Sequence, residues 1–181
     1  ASLYLTSNKC IFRENSTDRD ETGAVFSNHV SGELFYSVFE KNLCNAEADL
    51  ANGQSSVFYK GDWNLVSCVF FNNQSLNYPA VALYGGFDLT NCVFTGNATA
   101  SNTVLFKYPS SLNIYNTTIT NNFGSDGVLF RGNSGFTAAI INSIIKDNEP
   151  AVWSNVLLQN SFDLIITPFT LTAPNVIDGL S

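Results

Sequence analysis

The chain repeats one short pattern six times, and that repeat limits what it can fold into. The copies are Cys10-Ile11-Phe12-Arg13-Glu14-Asn15, Ser37-Val38-Phe39-Glu40-Lys41-Asn42, Cys68-Val69-Phe70-Phe71-Asn72-Asn73, Cys92-Val93-Phe94-Thr95-Gly96-Asn97, Thr117-Thr118-Ile119-Thr120-Asn121-Asn122 and Ser143-Ile144-Ile145-Lys146-Asp147-Asn148. Each runs small residue, β-branched residue, large apolar residue, two variable positions, asparagine. The closing asparagines are 27, 31, 24, 25 and 26 residues apart. A period of this size marks a solenoid built by stacking one unit.

Two further runs recur around each anchor. Upstream lie Val57-Phe58-Tyr59-Lys60-Gly61, Val81-Ala82-Leu83-Tyr84-Gly85, Val104-Leu105-Phe106-Lys107-Tyr108 and Val128-Leu129-Phe130-Arg131-Gly132. Directly before the anchors lie Leu65-Val66, Phe87-Asp88-Leu89, Leu112-Asn113-Ile114 and Ala139-Ile140-Ile141. Each is a short β-rich run closed by turn residues. No segment carries a 3.6-residue period over ten or more positions, so helical crossovers are not expected. Three strands per period, each paired in parallel with its copy about 4.8 Å away, predict an all-β, single-domain, right-handed parallel β-helix. It would have about six coils of ~24 residues and a length of roughly 29 Å.

The predicted coils span residues 1–160, with loop insertions near 15–22 and 43–56 that project from the scaffold. Residues 161–181 are expected to form an extended C-terminal cap or an intersubunit segment. The chain opens on an alternating strand pattern, Ala1-Ser2-Leu3-Tyr4-Leu5, without an initiator methionine. We read it as a processed product or a piece of a longer protein.

Composition fits this reading. There are 23 asparagines and no methionine, and only 13% of residues are charged. Asparagine tolerates the left-handed backbone of tight turns and can bond its own copy one rung away. The net charge is −7, with eight scattered Lys and Arg. That excludes the basic footprint of a nucleic-acid binder or of a protein held on an anionic membrane. No apolar run approaches the ~18 residues of a membrane span.

The anchors, Phe12/Asn15, Phe39/Asn42, Phe70/Asn73 and Phe94/Asn97, with Ile119/Asn122 and Ile145/Asn148 as variants, resemble the right-handed β-helix superfamily of pectate-lyase-like folds. More narrowly they resemble the Phe-x-x-Asn repeats of polymorphic outer-membrane proteins and related surface adhesins. The resemblance covers about residues 1–160. It implies the coil and no chemistry, since the motif builds the scaffold.

Candidate chemical groups are sparse. Pectin lyases of this fold group aspartates with a basic residue on one face. Here Asp62, Asp88, Asp126, Asp147 and Glu149 are the acidic residues expected on regular coils. Asp62 and Asp88 fall at similar points of consecutive coils, as an acid/base pair or a cation site would require, or simply as exposed turn residues. His29 is the only histidine and has no ligand at metal spacing. No catalytic residue, metal site or cofactor is expected.

Four cysteines without a CxxC pair favour disulfides over zinc. Cys68 and Cys92 occupy one position in adjacent coils, within bridging distance, and Cys10 with Cys44 is the expected second bridge. Four buried free thiols are the alternative. Four sequons, at Asn15, Asn73, Asn97 and Asn116, are candidate N-glycan acceptors. Three of these are anchors, and an inward asparagine cannot also carry a sugar.

The leading expectation is a non-enzymatic extracellular or cell-surface structural or adhesive protein, N-glycosylated and disulfide-bonded. It would associate end to end as a filament subunit, or join other domains of a longer surface protein. A carbohydrate-active enzyme or carbohydrate-binding module is the alternative, with Tyr84, Tyr108 and Trp63 as aromatic platforms for sugar rings. A bacterial autotransported adhesin passenger is the third reading.

Overall fold

The computed structural model describes residues 2–18, 23–28, 30–45, 55–100, 105–124, 130–131, 137–148 and 176–177. Alternation of inward apolar and outward polar residues gives short strands and no helix among them. A first sheet runs β1 (Leu3–Asn8), β4 (Val30–Phe35), β8 (Trp63–Val66), β11 (Ala82–Thr90), β14 (Phe106–Tyr115) and β17 (Phe130–Arg131). Beside this path β7 (Phe58–Tyr59) pairs with β11, and β18 (Thr137–Ile141) pairs with β14. A second sheet runs β2 (Ile11–Arg13), β5 (Val38–Glu40), β9 (Val69–Phe71), β12 (Val93–Thr95), β15 (Thr118–Thr120), β19 (Ile144–Lys146) and β20 (Val176–Ile177). The third is formed by β3 (Ser16–Thr17), β6 (Leu43–Cys44), β10 (Gln74–Ser75), β13 (Ala98–Thr99) and β16 (Phe123–Gly124).

Every strand pairing among the described residues is parallel. The chain is thus a parallel β-solenoid. Its first five coils contribute to all three sheets, so about four full turns separate the first from the fifth. The mean spacing is nearer 26 residues than the expected 24, because the early coils are offset by 27 and 31.

Two columns of left-handed residues bend the chain. Lys9, Tyr36, Ser67, Asn91, Asn116 and Asn142 turn it from the first sheet to the second, with φ between 49° and 55°. Glu14, Lys41, Asn72, Gly96, Asn121 and Asp147 turn it from the second to the third. Asparagine is common here because it enters this region at lower cost than most residues. The anchor asparagines do not make the turn; the residue before each of them does.

The upstream run and the pre-anchor run were expected as separate strands. In the third coil they are, as β7 and β8. In the next two coils they merge into β11 and β14, with an irregularity in register at Gly85/Gly86. Gly85 sits at φ 101°, and a Cβ there would strike the backbone carbonyl of Gly61. The bend therefore requires glycine at that position.

The expected insertions are narrower than 15–22 and 43–56, because Ser16–Thr17 and Leu43–Cys44 are ordinary third-sheet rungs. Residues 19–22 and 46–54 lie outside the described residues. So do His29, Asp126, Glu149 and the segment 149–175. Of the expected C-terminal segment, Val176 and Ile177 form β20, which pairs on Ile144 and Ile145.

The core is a pile of rings. Phe12, Phe39, Phe70 and Phe94 stack at 4.8, 4.7 and 4.5 Å with interplanar angles of 8°, 5° and 4°. Ile119 and Ile145 continue the column, both fully buried. Phe26, Phe58, Trp63, Phe87 and Phe106 form a second aromatic file against it. Each such ring buries about 150–250 Å² and dominates the hydrophobic stabilisation.

Candidate functional site

Beside the phenylalanine stack runs a ladder of asparagines. Asn15, Asn42, Asn73, Asn97 and Asn122 each donate to Oδ1 of the next anchor asparagine. The backbone N–H does so at 3.0–3.1 Å and Nδ2 at 2.8–2.9 Å. From Asn42 onward, Nδ2 also donates back to the anchor carbonyl of the coil before, as from Asn73 to Phe39 O at 3.0 Å and from Asn97 to Phe70 O at 3.0 Å. Asn42, Asn73 and Asn97 are fully buried. A buried amide left unpaired would cost about 1–3 kcal/mol, so the position accepts a side chain that both donates and accepts.

The ladder decides where the sequons point. Asn73 and Asn97 have both amide hydrogens engaged inside the coil, so neither can carry a sugar in the folded chain. Asn15 is half-buried in the first coil, with Nδ2 bonded to Asn42. Asn116 is different: it is an exposed corner residue whose Oδ1 accepts from Asn142. It is the one sequon asparagine of the four that stands on the outer surface away from the ladder.

The small residue that opens each anchor faces inward on the other side of the phenylalanine stack. Hydroxyls in this column accept from the previous coil: Thr117 Oγ1 from Cys92 N at 3.2 Å, Ser143 Oγ from Thr117 N at 3.1 Å. All four cysteines are free thiols. Cys68 and Cys92 do stand on adjacent coils, buried and within hydrogen-bond reach of one another, but the disulfide expected between them is not formed: both keep their S–H groups. Their S–H groups also approach Leu34 O and Leu65 O, each at 3.3 Å. The thiol–thiol bond and then burial push the Cys92 thiol far above its ordinary range. The expected Cys10–Cys44 bridge is corrected. Cys10 belongs to this column and meets Ser7 and Ser37. Cys44 lies on the third sheet, in register with Thr17 and Ser75, beyond the asparagine ladder.

The outer face of the first sheet carries an open groove of about 410 Å³. Gly32 and Gly86 leave its floor without side chains, and Tyr4, Asp62, Asp88 and Ser111 line it. A Cβ on Gly86 would meet Ser111 Oγ at 2.9 Å and Asp62 Oδ1 at 3.0 Å. Asp62 and Asp88 share this groove but are out of register by two residues, since Asp88 pairs with Asn64 and Phe87 with Trp63. Each carboxylate is already held. Asp62 Oδ1 accepts from Gly86 N at 2.7 Å, and Asp88 Oδ1 accepts from Asn113 Nδ2 at 2.6 Å. The described residues contain no cluster of three or more metal-ligating side chains.

The aromatic platforms fall differently from expectation. Trp63 is buried between Phe26 and Phe58, with ring centroids at 4.7 and 4.9 Å, and its indole N–H has no partner. Tyr84 and Tyr108 are half-buried at a left-handed corner, 5.8 Å apart, with Lys60 over Tyr84. Trp63 and Phe87 reach the groove only from the core, and Tyr4, 65% exposed, is the aromatic that stands open beside it. Its column, with Ser31 and Asp62, could be found only once the register of β1 on β4 was known.

No family model matches the chain, and no curated protein and no solved structure is significantly similar to it.

Proposed function

We propose that the chain is a non-enzymatic structural or adhesive rod of the cell exterior, a surface solenoid whose repeat exists to stack coils. The observation that carries this reading is the asparagine ladder. Five consecutive anchors spend their polar side chains on the next coil. The acidic residues of the groove are likewise used to hold backbone and neighbouring amide groups. An N-glycan on Asn116 and end-to-end association belong to the same reading, as does placement within a longer surface protein.

Incubation of the purified chain with acidic and neutral polysaccharides tests it, followed by a reducing-end and unsaturated-product assay. The expected result is no turnover. Turnover abolished by Asp62→Asn or Asp88→Asn would overturn the reading.

A second reading is carbohydrate binding without cleavage. The groove favours it: an exposed tyrosine flanks a polar floor of hydroxyls, amides and carboxylates, the mixture that suits a ring with one apolar face and many hydroxyls. Saturable glycan binding lost in Tyr4→Ala would select this reading over the first.

A further inference from the structure

The groove on the first sheet holds polar groups that the coil does not use. Asp62 and Asp88 each accept one internal hydrogen bond at Oδ1, from Gly86 N and from Asn113 Nδ2. Oδ2 of each accepts none from any described residue, and neither carboxylate has an ion-pair partner among them. Ser110 and Ser111 line the groove beside them, and no Lys, Arg or His does. Trp63 meets the groove from the core side, and its indole N–H is the one buried side-chain donor without a partner among the described residues. These residues stand on the third to fifth coils, with β4 paired on one side and β17 and β18 on the other, so the opening is not a sheet edge.

Gly86 opens the floor. The place of its missing Cβ lies 2.9 Å from Ser111 Oγ, 3.0 Å from Asp62 Oδ1 and 3.5 Å from Ser110 Oγ. A group seated over Gly86 is therefore ringed by three oxygens, one of them on a carboxylate. That set matches a primary ammonium, which brings three donors and one positive charge. Asp62 precedes Trp63, which pairs with Phe87, and Asp88 follows Phe87. The second carboxylate thus lies one rung and two residues away, roughly 8 Å between Cα atoms at 4.8 Å per rung and 3.3 Å per residue. Among the described residues no third metal-ligating side chain joins the two, which leaves a divalent cation short of ligands.

We propose that the groove binds a sugar with a free amino group. The ammonium of one hexosamine unit sits over Gly86 against Asp62, and Asp88 and Asn64 meet the ring hydroxyls. A neutral sugar leaves both carboxylates without a counter-charge, and a uronate is repelled by them. The inference rests on the carbohydrate-binding reading and names its ligand class.

The test titrates the 181-residue chain with trimers of glucosamine, N-acetylglucosamine and galacturonic acid. Calorimetry at fixed ionic strength reads affinity, and amide chemical shifts read location. The expected result is saturable binding of the glucosamine trimer, about tenfold tighter than the N-acetylated trimer, with the galacturonate trimer unbound. The shifts centre on residues 62–64, 86–88 and 110–111. Asp62→Asn and Gly86→Ala each weaken the glucosamine trimer about fivefold, the scale of one solvated ion pair. Asp62→Asn keeps the side chain's shape, and the methyl group of Gly86→Ala presses only on side-chain ends, so both variants keep the coil. Asp147→Asn removes an exposed carboxylate elsewhere and leaves binding unchanged, which separates the groove from the net charge of −7. The proposal is overturned by no saturable binding, by equal affinity for the glucosamine and N-acetylated trimers, or by equal losses in Asp62→Asn and Asp147→Asn. Trilysine bound as tightly and lost in the same variants would assign the groove to a basic polypeptide and overturn it too. Binding of the N-acetylated trimer at equal strength, lost in Tyr4→Ala, would leave the carbohydrate reading standing while this inference fell; no sugar bound in any form would remove both.

Discussion

Asn73 donates to Asn97 Oδ1 twice, through its backbone N–H at 3.1 Å and through Nδ2 at 2.9 Å. The two residues are 24 apart in sequence and one rung apart in space. This relationship explains why asparagine closes the repeat. Aspartate lacks the donors, leucine lacks both, and the site is closed to water.

Phe70 lies between Phe39 at 4.7 Å and Phe94 at 4.5 Å, fully buried. Phe70→Ala removes two stacked contacts and leaves a cavity that rigid neighbouring coils cannot fill. The expected loss is about 3–5 kcal/mol, measured by denaturant unfolding. A loss under about 1 kcal/mol would mean that the coils collapse around the gap.

Tyr36 shows the opposite sign. It is exposed and held at φ 50° in the corner column where Asn91, Asn116 and Asn142 also sit. An ordinary side chain in this conformation costs about 1–2 kcal/mol. Tyr36→Asn is expected to stabilise the chain by about 0.5–1 kcal/mol, part of that cost. Unchanged or lower stability in thermal or denaturant unfolding would show that packing of the Tyr36 ring outweighs its backbone strain.

Cys92 predicts an alkaline response in reducing buffer. Its bond with Cys68, and then burial, raise its folded-state pKa above the ordinary 9.0. The same bond lowers Cys68, so that thiol gives up its proton more readily in the native chain than in the unfolded one. Above pH 9 the unfolded chain has therefore lost one proton more than the native one, and stability falls as pH rises. The slope rises toward a limit of about 1.4 kcal/mol per pH unit as the unfolded thiol becomes fully ionised. Cys92→Ser should remove that slope from the unfolding free energy between pH 9 and 10. Parallel curves for the two proteins would contradict the assignment.

Sugar placement follows from burial. Expressed through a eukaryotic secretory pathway, the folded chain is expected to carry a glycan at Asn116 and none at Asn73 or Asn97. Site mapping by mass spectrometry after enzymatic deglycosylation checks this. Occupied Asn97 in properly folded protein would contradict the inward ladder.

The coil was legible because its two signals are periodic. The Phe-x-x-Asn spacing gave the inward residues of the second sheet, and alternation gave its outward ones. The role of asparagine was legible only in part. Sequence alone cannot tell an inward Asn97 from an adjacent left-handed Gly96, because the two positions differ by one residue and both suit asparagine. Of the groove, only the approach of Asp62 and Asp88 was legible. Tyr4 and Asp62 share a column only through the pairing of β1 on β4 and of Gly32 with Trp63, and the early coils differ in length. Cys10 and Cys44 misled for a related reason: proximity of coils does not place two residues on the same side of one.

The central claim is that anchor asparagines exist to hold one coil to the next. A double-mutant cycle on Asn73→Ala and Asn97→Ala, read by denaturant unfolding, tests it most directly. The account predicts two destabilised single mutants and a coupling energy of about 0.5–3 kcal/mol, as for residues sharing one buried hydrogen-bond set. Effects that add within about 0.3–0.5 kcal/mol would show that the two asparagines act independently, and would contradict the ladder as the element that joins the coils.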